Sequence, residues 1–336
     1  MSGLQIAWFL LVGVLLCGYA VLDGFDLGVG LWHLLAPSEA QRRALLKIIG
    51  PVWDGNEVWL LAGGGALFAA FPPVYATVFS GLYLPLLLVV LGLIFRAVAI
   101  EVRGQIAAPS WRRAWDAAFA LGSALPTVLF GVAVGNLVCG LELDSAGNYA
   151  GGLLGLLGAF PLLAGLSTVA MFATHGALLV AARSRGELAG WARQRAAAAA
   201  AAYAILAAGT AGWSLAAHQR GSALLPGLAA AVALGAIGVA RAWSRRRADG
   251  RAFVASCLAI AAQVGAVGAT LYPDLVPARG DPASSLTIFN ASSSATTLTV
   301  MFVVALLGMP LVVGYTVFVY RVFWERIDAG PEGDAG

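Results

Sequence analysis

Gly50-Pro-Val-Trp-Asp-Gly-Asn-Glu-Val-Trp-Leu-Leu61 places two carboxylates, Asp54 and Glu57, where an apolar run begins. An ionised acid inside a membrane-spanning helix costs roughly 2.5–3.5 kcal/mol, so such residues are kept where they face protein or water, or where they carry protons. Three positions apart on a helix, the two acids share a face. Trp53 and Trp59 flank them, Asn56 adds a neutral hydrogen-bonding group, and Pro51 suits a first helical turn, where its missing N–H is not needed. A capped helix start explains the same residues, since Asp54 suits the positive end of a helix dipole and tryptophans mark a membrane interface. The residues alone leave both readings open.

Outward from this stretch the chain is 336 residues long, 60% hydrophobic and 11% charged, with mean hydropathy +0.85. Soluble domains carry roughly 25% charge, so this composition describes a polytopic membrane protein. Crossing about 30 Å of hydrocarbon takes roughly 20 apolar residues. Nine runs qualify, at 5–33, 51–71, 74–95, 117–139, 151–181, 197–217, 223–240, 252–272 and 296–322. Residues 1–5 hold no Lys or Arg, so the chain is expected to start in a membrane segment rather than a cleaved signal. With nine spans, eighteen of the 20 basic residues fall on one side, leaving Arg220 and Arg279 on the other. The positive-inside rule then puts the N-terminus outside and the C-terminus in the cytoplasm.

The first run carries Tyr19, Asp23, Asp26, Gly30 and His33, which fall on one helical stripe. With this topology the inner end of that run, the start of the second (Asp54, Glu57) and the end of the third (Arg96, Glu101, Arg103) share one membrane surface. The structural reading is a set of ion pairs tying helices together; the functional one is a row of titratable groups handing protons inward. The first and fifth runs are both long, with polar residues near their inner ends (Asp23 and Asp26; Thr174 and His175), which hints at an internal duplication. His33, His175 and His218 stand alone, without the paired spacing of a metal or haem site, and a solitary histidine here reads as a hydrogen-bonded core residue. Cys17, Cys139 and Cys257 are distant and odd in number, so neither a disulfide nor a thiolate site is supported. Gly63-Gly-Gly65 is explained by close helix packing. Phosphate loops, nucleophile elbows and nucleic-acid patches are not found.

Tyr19-Ala-Val-Leu-Asp-Gly-Phe-Asp-Leu-Gly-Val-Gly30, followed at the right distance by Gly50 to Leu61, resembles subunit II of the cytochrome bd-type quinol oxidases, including the cyanide-insensitive branch. Phe71-Pro-Pro-Val-Tyr-Ala76 and the stretch from Phe95 to Arg103 extend the likeness over the first third of the chain. Ala173-Thr-His-Gly176 adds to it further on. The resemblance implies an all-α chain of about nine transmembrane helices, arranged as two four-helix bundles and a peripheral helix. Residues 1–145 would form the first bundle, 146–327 the second bundle with the last helix, and 328–336 a disordered cytoplasmic tail. It implies a pseudo-symmetric partner, subunit I, that carries haems b and d and oxidises quinol while oxygen is reduced to water. It further implies a proton path from the cytoplasm using the aspartate of Trp-Asp-Gly-Asn, here Asp54. Some relatives hold a quinone in subunit II as a structural element. Where relatives read Glu-Phe-Arg with a further basic residue, this chain has Glu101-Val-Arg-Gly104.

The expected proton pathway is therefore Asp54, Glu57, Asp23 and Asp26, supported by Trp53, Asn56, Arg96, Glu101 and Arg103. No metal is expected in this chain, which would sit in the inner membrane of a bacterium among lipid and quinol. A proton-coupled transporter and a purely structural membrane subunit are the rival classes. Transporters place such acids near the membrane midplane on broken helices, whereas these sit at helix ends. Which quinol is used, whether a quinone is bound here and whether small single-helix subunits accompany the complex are not written in the sequence.

Overall fold

A computed structural model describes residues 1–144, 147–218 and 220–328. The expected break between bundles at 145/146, and the expected disordered tail beyond Asp328, lie outside the described residues. Eleven α-helices order the described chain: α1 Ser2–His33, α2 Glu39–Ile49, α3 Trp53–Ala70, α4 Pro72–Gly81, α5 Tyr83–Val102, α6 Pro109–Cys139, α7 Ala159–Arg183, α8 Gly186–Ala217, α9 Leu224–Arg245, α10 Asp249–Leu271 and α11 Ala295–Phe323. Eight of these, all but α2, α3 and α4, are long and apolar enough to cross a membrane. Expected span 51–71 becomes α3, whose polar first turn keeps it out of that set.

Three local features differ from the sequence expectations. The expected third span at 74–95 starts too early. Pro72 and Pro73 open a separate helix, α4, whose ten residues reach only about 15 Å, and the spanning helix α5 begins at Tyr83. The chain between the first two runs is not a plain loop but the helix α2. Ser38 caps it by accepting a hydrogen bond from Gln41 N, and Ala44, Leu45, Ile48 and Ile49 are buried. Pro51 lies in the turn before α3 rather than in its first helical turn. The outer stretch also adds a small antiparallel pair, β1 Asp274–Val276 with β2 Leu286–Thr287.

Within α1, α3, α5 and α6 one bundle forms, and α7 to α10 pack in succession as the other. The largest of three buried apolar clusters runs through both, from Phe25 and Val29 of α1 to Leu178, Tyr203, Ile237 and Ile260. Its seam is the α1–α7 crossing, where backbones touch at Gly28 and Gly176. A Cβ at Gly28 would lie 1.9 Å from the Phe172 carbonyl oxygen, and one at Gly176 would lie 2.5 Å from the Gly28 carbonyl carbon. Small residues let membrane helices approach this closely. Trp32 Nε1 donates to Ala173 O at 2.7 Å, and His175 Nε2 donates to Val21 O at 2.9 Å. His175 also lies 2.7 Å from Ser256 Oγ and stacks on Phe253 at 4.7 Å. A similar approach brings Gly122 of α6 against Gly92 and Arg96 of α5, which fixes the backbone of Arg96. A Cβ at Gly63 would meet Leu16, but one at Gly64 or Gly65 would meet nothing within 4 Å among the described residues, so packing among these explains one glycine of the expected three.

Helix α11 is peripheral. It buries only Leu298 among its residues and is tied down at its ends. Trp8 Nε1 donates to Leu298 O at 3.0 Å. At the other end Arg183 of α7 donates to the carbonyls of Phe323 and Glu325 at 2.5 and 2.9 Å, and Ile327 N donates to Arg183 O at 2.7 Å.

Candidate functional site

The polar stripe of α1 is buried along its length: Asp23, Asp26 and His33 have no exposed surface and Tyr19 retains 5%. Two clusters of charge form against it, at different levels. The first joins α1, α3 and α5. Arg96 of α5, fully buried, donates through Nη2 to Asp23 Oδ1 at 2.6 Å and to Glu57 Oε1 at 2.5 Å. Asn56 Nδ2 donates to Asp26 Oδ2 at 2.7 Å and to Leu22 O at 3.2 Å. Tyr320 of α11 donates to Asn56 Oδ1 at 2.9 Å. Two carboxylates, Asp23 and Glu57, thus pair with the Arg96 guanidinium, and a third, Asp26, is close enough to act on it electrostatically. With all three ionised, Arg96 offsets one of the three negative charges. Asp23 Oδ2 and Asp26 Oδ1 are buried and find no hydrogen-bond partner among the described residues. Glu57 alone of the three acids reaches the surface, its side chain 23% exposed.

The second cluster lies about two to three turns nearer the end of α1. His33 Nε2 donates to Asp116 Oδ1 at 2.5 Å, and Arg103 Nε donates to the same oxygen at 2.5 Å. Arg103 Nη2 bridges Asp116 Oδ2 at 3.1 Å and Glu39 of α2 at 2.8 Å. Arg42 and Arg112 stand at 3.6 Å from Asp116 and Glu39. Here three arginines outnumber two carboxylates, and Arg103 carries the contacts that join α2, α5 and α6.

Of the expected site residues, Asp23, Asp26, Glu57, Asn56 and Arg96 meet in the first cluster, and Arg103 belongs to the second. Trp53 is half-buried and Trp59 buried, packed in a small cluster with Tyr19 and Leu15. Asp54 is exposed at the first turn of α3, close enough to Glu57 to act on it electrostatically. Glu101 is also exposed, and its backbone carbonyl accepts from Gln105. Among the described residues it takes no part in either cluster. Tyr320, Asp116 and Glu39 were not anticipated. The expected span began at 117, which left Asp116 outside the helix, yet α6 starts at Pro109 and buries it. A lone tyrosine near a helix end reads as a membrane-interface residue, so Tyr320 carried no distinguishing signal.

A cavity of about 320 Å³ opens between α1, α6, α7, α8 and α10, with Leu16, Phe130, Met171 and Phe172 on its largely apolar walls and Tyr19, Gln263 and several Ser and Thr hydroxyls as its polar groups. Among the described residues, no group of three or more His, Cys, Asp or Glu side chains is placed to hold a metal ion. The three cysteines are free.

Residues 4–323 match the family model described as cytochrome bd terminal oxidase subunit II. The cytochrome bd ubiquinol oxidase subunit 2 of Bacillus subtilis (strain 168) is 35% identical over 334 residues, covering 97% of this chain and 98% of the relative. The cytochrome bd-I ubiquinol oxidase subunit 2 of Escherichia coli (strain K12) is 37% identical over 362 residues, covering 96% and 95%. One chain of the bd oxidase structure from Geobacillus thermodenitrificans superposes with TM-score 0.79 at 19% identity, covering 96% of this chain and 99% of that one, which establishes the likeness of fold. With nearly the whole length matched in each comparison, the chain belongs to the subunit II family of the cytochrome bd terminal oxidases, oxidoreductase complexes of the membrane.

Proposed function

We propose that this chain is the non-haem half of a quinol:oxygen oxidoreductase. A pseudo-symmetric subunit I carries haems b and d and the quinol site, and this chain scaffolds it and feeds it protons from the cytoplasm. The observation that carries the reading is the first cluster: three carboxylates acting on one guanidinium, with buried carboxylate oxygens that find no hydrogen-bond partner among the described residues. A buried cluster with more acid than base holds a proton more readily than a balanced one. Reduction of oxygen consumes protons, and this arrangement gives them a site to occupy on the way in. Asp54 at the surface is the mouth, Glu57 the half-exposed receiver, and Asp23 and Asp26 the inner acceptors. The second cluster, where three arginines face two acids, serves as the structural tie between α2, α5 and α6.

The bundles divide near 145, with 1–145 housing the proton route and 146–327 the second bundle and α11. The arginine-rich end faces the cytoplasm, as the positive-inside rule requires of eighteen of 20 basic residues. The cavity beside Tyr19 suits a quinone held as a structural element, because largely apolar walls with several hydroxyls and the Gln263 amide match an isoprenoid chain with a carbonyl-bearing head. The ion pairs of Arg96 equally favour a second reading, a purely structural subunit whose acids only bind arginine.

Purification from the native membrane tests the assignment. The chain is expected to bring down a partner whose visible spectrum shows haems b and d, while the chain made alone shows none. Each of His33→Ala, His175→Ala and His218→Ala should leave every haem band in the assembled complex. Loss of one haem's absorption in an assembled single variant would overturn it.

A further inference from the structure

The Asn56 amide has two unlike ends, and its surroundings fix which end points where. The Leu22 carbonyl can only accept, and it sits 3.2 Å from the amide nitrogen, beside the carboxylate of Asp26 at 2.7 Å. Turned over, the amide would set its oxygen against both of these acceptors. Its oxygen therefore points toward α11, where Tyr320 donates at 2.9 Å. Tyr320 is held there by its helix, whose end Arg183 grips through the Phe323 and Glu325 carbonyls while its guanidinium lies 5.3 Å from the Trp324 ring. The Tyr320 ring packs edge-on to Phe25, the residue before Asp26, at 6.3 Å. The result is a one-way chain of donors, from Tyr320 to Asn56 to Asp26 Oδ2. That leaves Asp26 Oδ1, buried and without a hydrogen bond among the described residues, on the other side of the carboxyl group.

We infer that Tyr320 is a positioning residue for Asp26: through the Asn56 amide it occupies one carboxylate oxygen and leaves Oδ1 as the oxygen that exchanges protons. The peripheral helix, which contributes little buried surface, thereby sets the geometry of the site through a single hydroxyl. Asp23, Glu57 and Arg96 are the other ionisable groups acting on Asp26, and among the described residues none of them contacts Asn56 by hydrogen bond. This inference rests on the proton-route reading above.

The test uses the purified, assembled oxidase with Tyr320→Phe, which keeps the ring and removes the donor. Turnover per haem should fall about three- to tenfold with quinol reduction of the haems unchanged. The solvent deuterium isotope effect on turnover should rise, and the infrared carboxyl band that disappears in Asp26→Asn should change frequency. Fluorinated tyrosine at position 320, a stronger donor of the same shape, should move that band in the opposite direction, and it serves in place of Tyr320→Phe if that variant fails to assemble. If Asp26→Asn is slow but both replacements keep the wild-type rate, isotope effect and band, the positioning role is overturned and the proton route stands. If Asp26→Asn itself turns over at the full rate, the proton route is overturned and Tyr320 has no proton carrier to position.

Discussion

Replacing Arg96 with Met removes the guanidinium around which the first cluster is built while keeping most of its length and apolar volume. Arg96 makes two ion pairs, at 2.6 and 2.5 Å, and is itself fully buried. Breaking a buried pair from one side leaves an uncompensated charge and costs about 3–5 kcal/mol. In a protein of this size that corresponds to a fall in melting temperature of about 6–10 °C, taking roughly 2 °C per kcal/mol. The cost should depend on the acids that remain. Adding Asp23→Asn to Arg96→Met takes away one stranded carboxylate, so the double variant should recover part of the loss, with a coupling of about 1–3 kcal/mol. Thermal unfolding of the purified complex, followed by monodispersity and by the haem spectrum, measures each corner of the cycle. A single variant that melts within about 2 °C of wild type, or a double variant whose losses simply add, would refute the picture of one guanidinium holding the carboxylates together.

Three further outcomes follow from the geometry. Gly28→Ala should fail to assemble or lose several kcal/mol, because the new Cβ would lie 1.9 Å from a backbone oxygen of α7, whereas Gly238→Ala, with nothing within 4 Å, should be neutral in yield and melting temperature. Burial pushes the carboxyl of Asp274, in the outer loop, above its ordinary value despite Arg220 nearby. A raised value means that its favourable contribution is present in acid and is lost as pH rises through that value, so Asp274→Asn should raise stability slightly at pH 7, by less than about 1 kcal/mol, and not at acid pH. Reporter fusions near Arg112 and Arg246 should report cytoplasm and those near Glu142 and Asp281 the outside, and a reversal at either pair would break the proposed orientation.

Much of the fold was written in the sequence because it depends on composition and period alone. The apolar runs, the polar stripe of Tyr19, Asp23, Asp26 and His33, and the pairing of that stripe with Glu57 and Arg96 follow from helical spacing and from the expense of charge in hydrocarbon. Helix α2 was hidden because its arginines and lysine read as a cytoplasmic loop, and its buried side, Ala44, Leu45, Ile48 and Ile49, is only half of a short amphipathic turn. The α4–α5 break was hidden inside one unbroken apolar run. The second cluster needed tertiary knowledge: His33, Arg103, Glu39 and Asp116 meet only because α6 starts eight residues before its apolar run and Gly122 lets it press against α5. Tyr320 lies 264 residues from the asparagine that it holds, and local pattern carries no trace of that contact.

Turnover and oxygen-linked proton uptake in the Asp54→Asn oxidase test the central claim most directly. Asn keeps the size and polarity of the side chain but cannot carry a proton. With Asp54 as the mouth of the route, the variant should assemble with normal haem content, accept electrons from quinol at the wild-type rate and then turn over slowly, with delayed proton uptake from the arginine-rich side; Asp54→Glu should retain more activity. Wild-type turnover and uptake in Asp54→Asn, together with a lowered melting temperature or yield, would contradict this and make Asp54 a helix cap.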